Sequence, residues 1–383
     1  MNNQKHLFNL PQDIHYLNCA YMSPLLSSVE EAGIQGILRM RDPSRISSSD
    51  FFSLQVGVKE KFSQLINGKP SQVAIIPSVS YGLKSAINNI PLNNGNQAIT
   101  IGDEFPSDYL TLSEWCRKNQ KELKIIQAPS IRLGRGRNWT ERIIDAINGE
   151  TAAVVMSSVH WMDGTKFNLE AIGQKCKECK TVFIVDGSQS VGVLPMDIAK
   201  YNIDALICTG YKWLFGPYSM GLAYYSEFFD SGLPVEESWM NRLNSEDFSK
   251  LTDYTDSYKS GAARYNVGEN SHFILLPMMN RALDQILEWN GDSLQEYCGT
   301  LIKPLLQYLE SGHYEVDEVD YRVNHIIGIS LPENRSRDKF LQELKENKIF
   351  VSLRGDIIRI STHLFNTLED IDQLLHVLKN DLV

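Results

Sequence analysis

The sequence predicts an α/β protein, with one large domain built on a mostly parallel sheet and a smaller α+β domain after it. Three observations predict this. Short apolar, β-branched runs alternate with helical patterns from residue 73 to about residue 226, and such runs read as strands buried on both faces. After about Gly261 the pattern changes to long helices and scattered strands. The 383 residues also exceed what a single hydrophobic core usually fills. The predicted division is 15–260 for the large domain and 261–383, together with 1–14, for the small one.

In chain order, the strand-like runs lie at 73–76, 98–101, 123–126, 152–156, 182–185, 205–208 and 221–225. A turn containing Ser and Gly leads from the first into a helical stretch at 83–90, and 168–180 has amphipathic spacing. Strand and helix alternating in this way is the pattern of a parallel sheet with crossover helices. The polar stretch 236–260 reads as an exposed loop or lid. Beyond it, 274–289 and 294–309 read as long helices, with a kink expected at Pro304. A strand at 323–331, a helix at 337–347, a strand pair within 350–361 and a helix at 368–378 complete the small domain.

The composition excludes several classes. A formal net charge of −10 argues against nucleic acid or an anionic membrane as the main partner. One basic segment, Arg132-Leu133-Gly134-Arg135-Gly136-Arg137, reads as a solvated Gly-rich turn. Residues 1–18 are polar and interrupted, and no stretch approaches the ~20 apolar residues of a membrane span. The expectation is a cytoplasmic protein. Its six cysteines suggest no disulfide framework. Cys176 and Cys179 form a C-x-x-C inside an amphipathic helix with no second pair to complete a zinc site, so no metal is expected.

In an open parallel sheet, ligands bind beyond the carboxyl ends of the strands. After 73–76 comes Pro77-Ser78-Val79-Ser80-Tyr81-Gly82, whose hydroxyls and free N–H groups at a helix start suit a phosphate. After 98–101 comes Asp103-Glu104-Phe105-Pro106-Ser107-Asp108. Phe105 could lie flat on an aromatic cofactor ring or be core. After 152–156 come His160, with readings as a cofactor contact or a buried histidine, and Trp161. The run at 182–185 ends in Asp186-Gly187-Ser188-Gln189. A carboxylate at a buried strand end is costly unless paired, and a protonated pyridine nitrogen is one such partner. The run at 205–208 leads into Thr209-Gly210-Tyr211-Lys212-Trp213. A lysine in that aromatic setting either snorkels to solvent or is made nucleophilic by desolvation. The Asp186 at the adjacent strand end favours the second.

The stretch from Asp186 to Gly221 resembles class V aminotransferases, the fold-type-I branch of pyridoxal-phosphate enzymes that also holds cysteine desulfurases, kynureninases and isopenicillin-N-epimerase-like proteins. Tyr16-Leu17-Asn18-Cys19-Ala20-Tyr21, Glu104-Phe105-Pro106-Ser107 and Arg359-Ile360-Ser361 with Asn366-Thr367 are similar to further family segments. The resemblance implies pyridoxal phosphate held as a Schiff base by Lys212, with Asp186 at the pyridine nitrogen, Gln189 at the ring oxygen and Phe105 stacked on the ring. It places Ser80, Val79, Thr209 and Tyr211 at the phosphate and Ser188 and His160 in the same pocket. Asn270 aligns with a segment that reaches a partner subunit's phosphate. Arg359 would grip a substrate carboxylate, with Tyr21 and Trp161 on the substrate side.

Arg354, across the turn signal Gly355-Asp356, is either a surface charge or a second anion contact. Tyr211 departs from the histidine of desulfurases, and no cysteine follows Cys298, which argues against desulfurase activity. The implied activity is that of an aminotransferase-like enzyme acting at the α-carbon of an amino acid, as a homodimer. Epimerisation or β-elimination on the same scaffold is the alternative. A catalytically silent cofactor-binding protein is a further one, although it need not retain Lys212, Asp186 and Arg359 together. A dinucleotide-binding fold is disfavoured because no G-x-G-x-x-G follows an early strand.

Overall fold

The computed structural model describes residues 1–131, 133–311, 316–330 and 336–379. It begins with the short strand β1 (His15–Tyr16) and the helices α1 (Ser27–Met40) and α2 (Asp50–Leu65). Seven strands then build one sheet: β2 (Val73–Ile76), β3 (Gln97–Ile101), β4 (Glu122–Ile126), β5 (Thr151–Ser157), β6 (Val182–Asp186), β7 (Ala205–Thr209) and β8 (Gly221–Tyr225). Their spatial order is β2-β8-β7-β6-β5-β3-β4. Only β8 runs against its neighbours, and the remaining pairs are parallel. Every run expected from the sequence is a strand, because all but the edge strand β4 are buried along their whole length.

Helices α3 (Val79–Ile87), α4 (Pro106–Lys118), α5 (Arg135–Ala146) and α6 (Leu169–Cys179) connect these strands. The helix expected at 83–90 starts earlier, since the Ser78 side chain accepts a hydrogen bond from the Tyr81 N–H and sets the first turn at Val79. At α6, Asn168 caps the start and Lys180, in the left-handed region at φ 57°, ends the helix. Two hydrophobic cores cover the two faces of the sheet.

Helices α7 (Leu275–Trp289) and α8 (Gly291–Ser311) follow, with Pro304 inside the continuous α8. Then come β9 (Ile326–Ser330), α9 (Arg337–Glu346), β10 (Ile349–Phe350), β11 (Ser352–Arg354), β12 (Ile357–Ser361) and α10 (Leu368–Lys379). Strands β11, β12 and β9 make an antiparallel sheet over a third core that includes Leu301, Phe340, Ile358 and Leu374. Leu331 of the strand expected at 323–331 lies outside the described residues, as does Arg132 of the basic segment.

The division expected at residue 260 does not follow the packing. Helix α7 buries Leu276, Met279, Leu283 and Ile286 and packs against α1 and α2, so it belongs with the large sheet. Conversely, β1 pairs in parallel with β10 of the small unit. An amphipathic helix reveals that it has an apolar face but not which core receives it. The polar stretch 236–260 is a loop with short 3₁₀ turns, tied by the ion pairs Arg242–Glu237 and Lys259–Glu246. Among the described residues no helix is long and apolar enough to cross a membrane.

Candidate active site

The carboxyl ends of β5, β6 and β7 lie side by side in the sheet. After Thr209 the chain turns out through 210–220 and returns as β8, whose Gly221 pairs with Thr209. The loop is therefore closed by the two strands it joins. Inside it, the Gly210 N–H donates to Met220 O at 2.9 Å and the Gly216 N–H to Gly210 O at 2.8 Å. Glycine is required at 210, where a Cβ would come within 2.4 Å of Met279 Cε and 2.5 Å of Met220 O. Trp213, Leu214 and Phe215 are buried beneath the loop.

Lys212 stands in this loop with 8% of its surface exposed. Its amine makes no hydrogen bond to a described residue, and Nζ lies 5.5 Å from the centroid of the Phe105 ring. Burial lowers its pKa to about 8 against the opposing pull of Asp186, with Arg359 and Arg354 lowering it further. Asp186 is buried at the end of β6 and accepts the Ser188 N–H at 2.7 Å. Burial raises its pKa, while Ser188 and Lys212 counter that rise. The Ser188 hydroxyl accepts the Thr209 N–H at 3.2 Å, which links the ends of β6 and β7. Gln189 donates from Nε2 to Ala20 O at 3.2 Å and accepts the Trp213 indole N–H at 2.8 Å. An amide nitrogen has two hydrogens, so one donor of Gln189 is left for a ligand.

At the start of α3, the Ser78 and Ser80 hydroxyls lie 3.0 Å apart. Val79 N–H opens the same helix. The Tyr211 hydroxyl reaches Thr209, and Tyr211 O accepts both the backbone N–H and the hydroxyl of Ser23, at 3.0 and 3.1 Å. Across the cleft, Arg359 is 2% exposed. Its Nη1 donates to Trp161 O at 2.8 Å, while Nε and Nη2 are buried without a partner among the described residues. Those two N–H groups form one edge of the guanidinium, the fork that matches a carboxylate.

Strand register puts Ser352 opposite Arg359, so Arg354, two residues along, faces the same way as Arg359. The Arg354 guanidinium lies 6.0 Å from the Tyr21 ring and 5.8 Å from the Trp161 ring. Among the described residues neither arginine has a carboxylate partner. Trp161 meets Phe105 edge-on at 5.5 Å and donates its indole N–H to Asp103 O at 2.8 Å.

Two of the expected contacts also have partners within the chain. His160 is buried, with Nδ1 2.9 Å from Asp163 Oδ1 and its ring tilted on Trp139 at 5.1 Å. Asp163 also pairs with Arg135, so His160 belongs to an internal charge cluster. Asn270 is buried in its own chain, accepting from Gln55 at 3.0 Å and donating to Val267 O at 3.0 Å. Sequence reasoning missed Asp108, which is fully buried in the first turn of α4 beside Asp186. A Pro-Ser-Asp helix start reads as ordinary capping, so no signal in the sequence marked it.

The sequence profile described as Aminotransferase class-V matches residues 47–374. The chain belongs to the aminotransferase class-V family. Similar proteins within reach of it include the uncharacterized aminotransferase YcbU of Bacillus subtilis, 23% identical over 82% of this chain and 80% of that protein. A kynureninase of Shouchella clausii is 22% identical over 93% of this chain and 82% of its own length. Among solved structures, the cystine C–S lyase C-DES in complex with cysteine persulfide has a TM-score of 0.85 at 16% identity, covering 96% of this chain and 98% of its own. The cysteine desulfurase of Thermococcus onnurineus has a TM-score of 0.82 at 18% identity, covering 99% and 98%. These structural likenesses establish the fold, PLP-dependent fold type I.

As a class V protein, the chain is a pyridoxal-phosphate-dependent enzyme. Its residues fit the group. A buried amine without a hydrogen bond stands over an aromatic ring, a carboxylate ends the adjacent strand, and paired hydroxyls open α3.

Proposed function

We propose that this class V enzyme acts at the α-carbon of an amino acid by transamination, with Lys212 holding the cofactor and moving the proton. The observation that carries the reading is the position of Lys212. Its amine is buried, has a lowered pKa and is felt electrostatically by both Asp186 and Arg359. Bound pyridoxal phosphate supplies an electron sink for the electrons of the bond broken at the α-carbon. Asp186 holds the ring nitrogen, Gln189 the ring oxygen, Phe105 a ring face, and Val79, Ser80, Thr209 and Tyr211 the phosphate. Ser188 orients Asp186 and ties it to β7. Lys212 takes and returns the proton at the α-carbon. A β-lyase outcome is the second reading, favoured by the kynureninase among the relatives. The absence of cysteine after Cys298 supports neither reading over the other but argues against desulfurase chemistry.

Arg359 takes the substrate α-carboxylate on its Nε–Nη2 edge. Arg354, on the same face and without an acidic partner, takes a second anionic or polar group beside Tyr21 and Trp161. An absorbance screen of the yellow holoenzyme against an amino-acid panel tests this directly. Arg359→Lys loses the fork, worth about 1.5–3 kcal/mol, so KM is expected to rise about 10- to 100-fold for every substrate. Arg354→Ala is expected to raise KM for acidic substrates and leave neutral ones near the wild-type value. An unchanged KM in Arg359→Lys would place the carboxylate clamp elsewhere.

The enzyme is proposed to be a homodimer in the cytoplasm. Ile34, Ile37, Leu38 and Met40 leave an apolar stretch of α1 exposed, as an isologous interface would. The six free cysteines suit a reducing compartment. Sedimentation of the loaded enzyme is expected to give a dimer. An active monomer at low concentration would contradict the proposal.

A further inference from the structure

Asp108 has no exposed surface. Its carboxyl lies within hydrogen-bonding reach of Asp186, and its own backbone N–H is the one group that lowers its pKa against burial, yet among the described residues neither of its oxygens has a hydrogen-bond partner. Its own backbone N–H is given to Phe105 O at 3.0 Å. Glu104, equally enclosed, is provided for very differently. It accepts the Phe105 N–H at 2.7 Å, the Ser157 N–H at 2.7 Å, and the Ser157 hydroxyl at 2.9 and 3.0 Å. A buried carboxylate with such donors can keep its charge, and one without them cannot.

The charged and titratable groups around Asp108 come from three segments: Glu104 before α4, Asp186 at the end of β6, and Lys212 in the β7–β8 loop. His160 faces Glu104. Burial and the two carboxylates push the Asp108 pKa well up. The N-terminus of α4 favours an anion, but weakly beside the cost of a buried charge next to like charges. Two carboxyls in contact need a proton between them. Asp186 has the Ser188 N–H and the stronger attraction of Lys212, whereas Asp108 feels Lys212 less and has no side-chain donor among the described residues. The proton belongs on Asp108.

We propose that Asp108 is a neutral carboxylic acid that donates to Asp186 and so positions the Asp186 carboxylate for the cofactor's ring nitrogen. It is a positioning residue, acting through Asp186. The hydrogen bond fixes the orientation of Asp186 and makes its carboxylate less basic, which keeps a single negative charge opposite the ring nitrogen. The inference rests on the role assigned to Asp186 above, but the location of the proton can be tested without the cofactor.

Asp108→Asn keeps an N–H donor and cannot ionise, whereas Asp108→Ala has neither property. A carboxyl whose folded pKa lies above its unfolded value of about 3.9 loses stability as pH rises toward the folded pKa. In thermal melts of the cofactor-free protein, Asp108→Asn is therefore expected to gain in Tm over the wild type as pH rises from about 5 to about 8. A gap that stays level or closes over that range would show an Asp108 already ionised at pH 5 and overturn the proposal. In the holoenzyme, Asp108→Asn is expected to keep kcat within about threefold, while Asp108→Ala lowers kcat about 10-fold with little change in KM. Equal losses in both variants would also overturn it. Failure of the Asp186 assignment looks different, because Asp186→Ala would then retain turnover while the Asp108→Asn melts still showed the proton.

Discussion

A Lys212→Ala variant is expected to lose covalent cofactor attachment and to turn over about 10⁴-fold more slowly. Borohydride reduction of the wild-type holoenzyme, followed by peptide mapping, is expected to place the cofactor on Lys212. The same treatment of the variant should leave no adduct. Burial also gives this prediction a pH dependence. The Lys212 pKa is lowered to about 8, so the amine is charged below that pH and neutral above it. At pH 7 about a tenth of it is neutral, against about 0.04% for an ordinary lysine of pKa near 10.4. Uptake of cofactor by the apo protein is therefore expected to accelerate as pH rises toward about 8 and to level off above it. An adduct on another lysine, or uptake still climbing near pH 10, would remove Lys212 from its role.

Asp186→Ala is expected to fold and to lose well over ~10² in kcat. The reason is local. Asp186 ends β6 beneath the position of Lys212, where its charge is held by Ser188 and opposed by burial. A ring nitrogen left without that carboxylate loses its proton, and with it most of the electron sink. Circular dichroism establishes that the variant is folded, and stopped-flow absorbance measures the chemical step. Near-normal turnover in the folded variant would show that another group holds the nitrogen.

The large sheet could be read from the sequence because its inner strands are buried on both faces and so appear as uninterrupted apolar runs. The residues at their ends followed from that, since a parallel sheet directs its carboxyl ends to one side. Arg354 and Arg359 could be brought together from strand alternation across Gly355-Asp356. The register then put Ser352 opposite Arg359. The residues that could not be read owe their surroundings to contacts that spacing and periodicity do not mark. His160 answers to Asp163 and Trp139, and Asn270 to Gln55, 215 positions away. Asp108 carries no mark because its significance lies in the absence of any donor around it. Helix α7 was misassigned for a related reason: its periodicity is the same whichever core it covers.

The β7–β8 loop is fastened at both ends by one strand pair, Thr209 with Gly221, and crossed by the Gly210–Met220 bond. A short closed ring of backbone has few conformations to lose, so the reactive amine is preorganised before any ligand arrives. The opposite wall of the cleft is built differently. That wall is carried by the small unit, and its Arg359 is tethered to the large one at Trp161 O. Through that tether the grip on the substrate also gauges how the two units sit together.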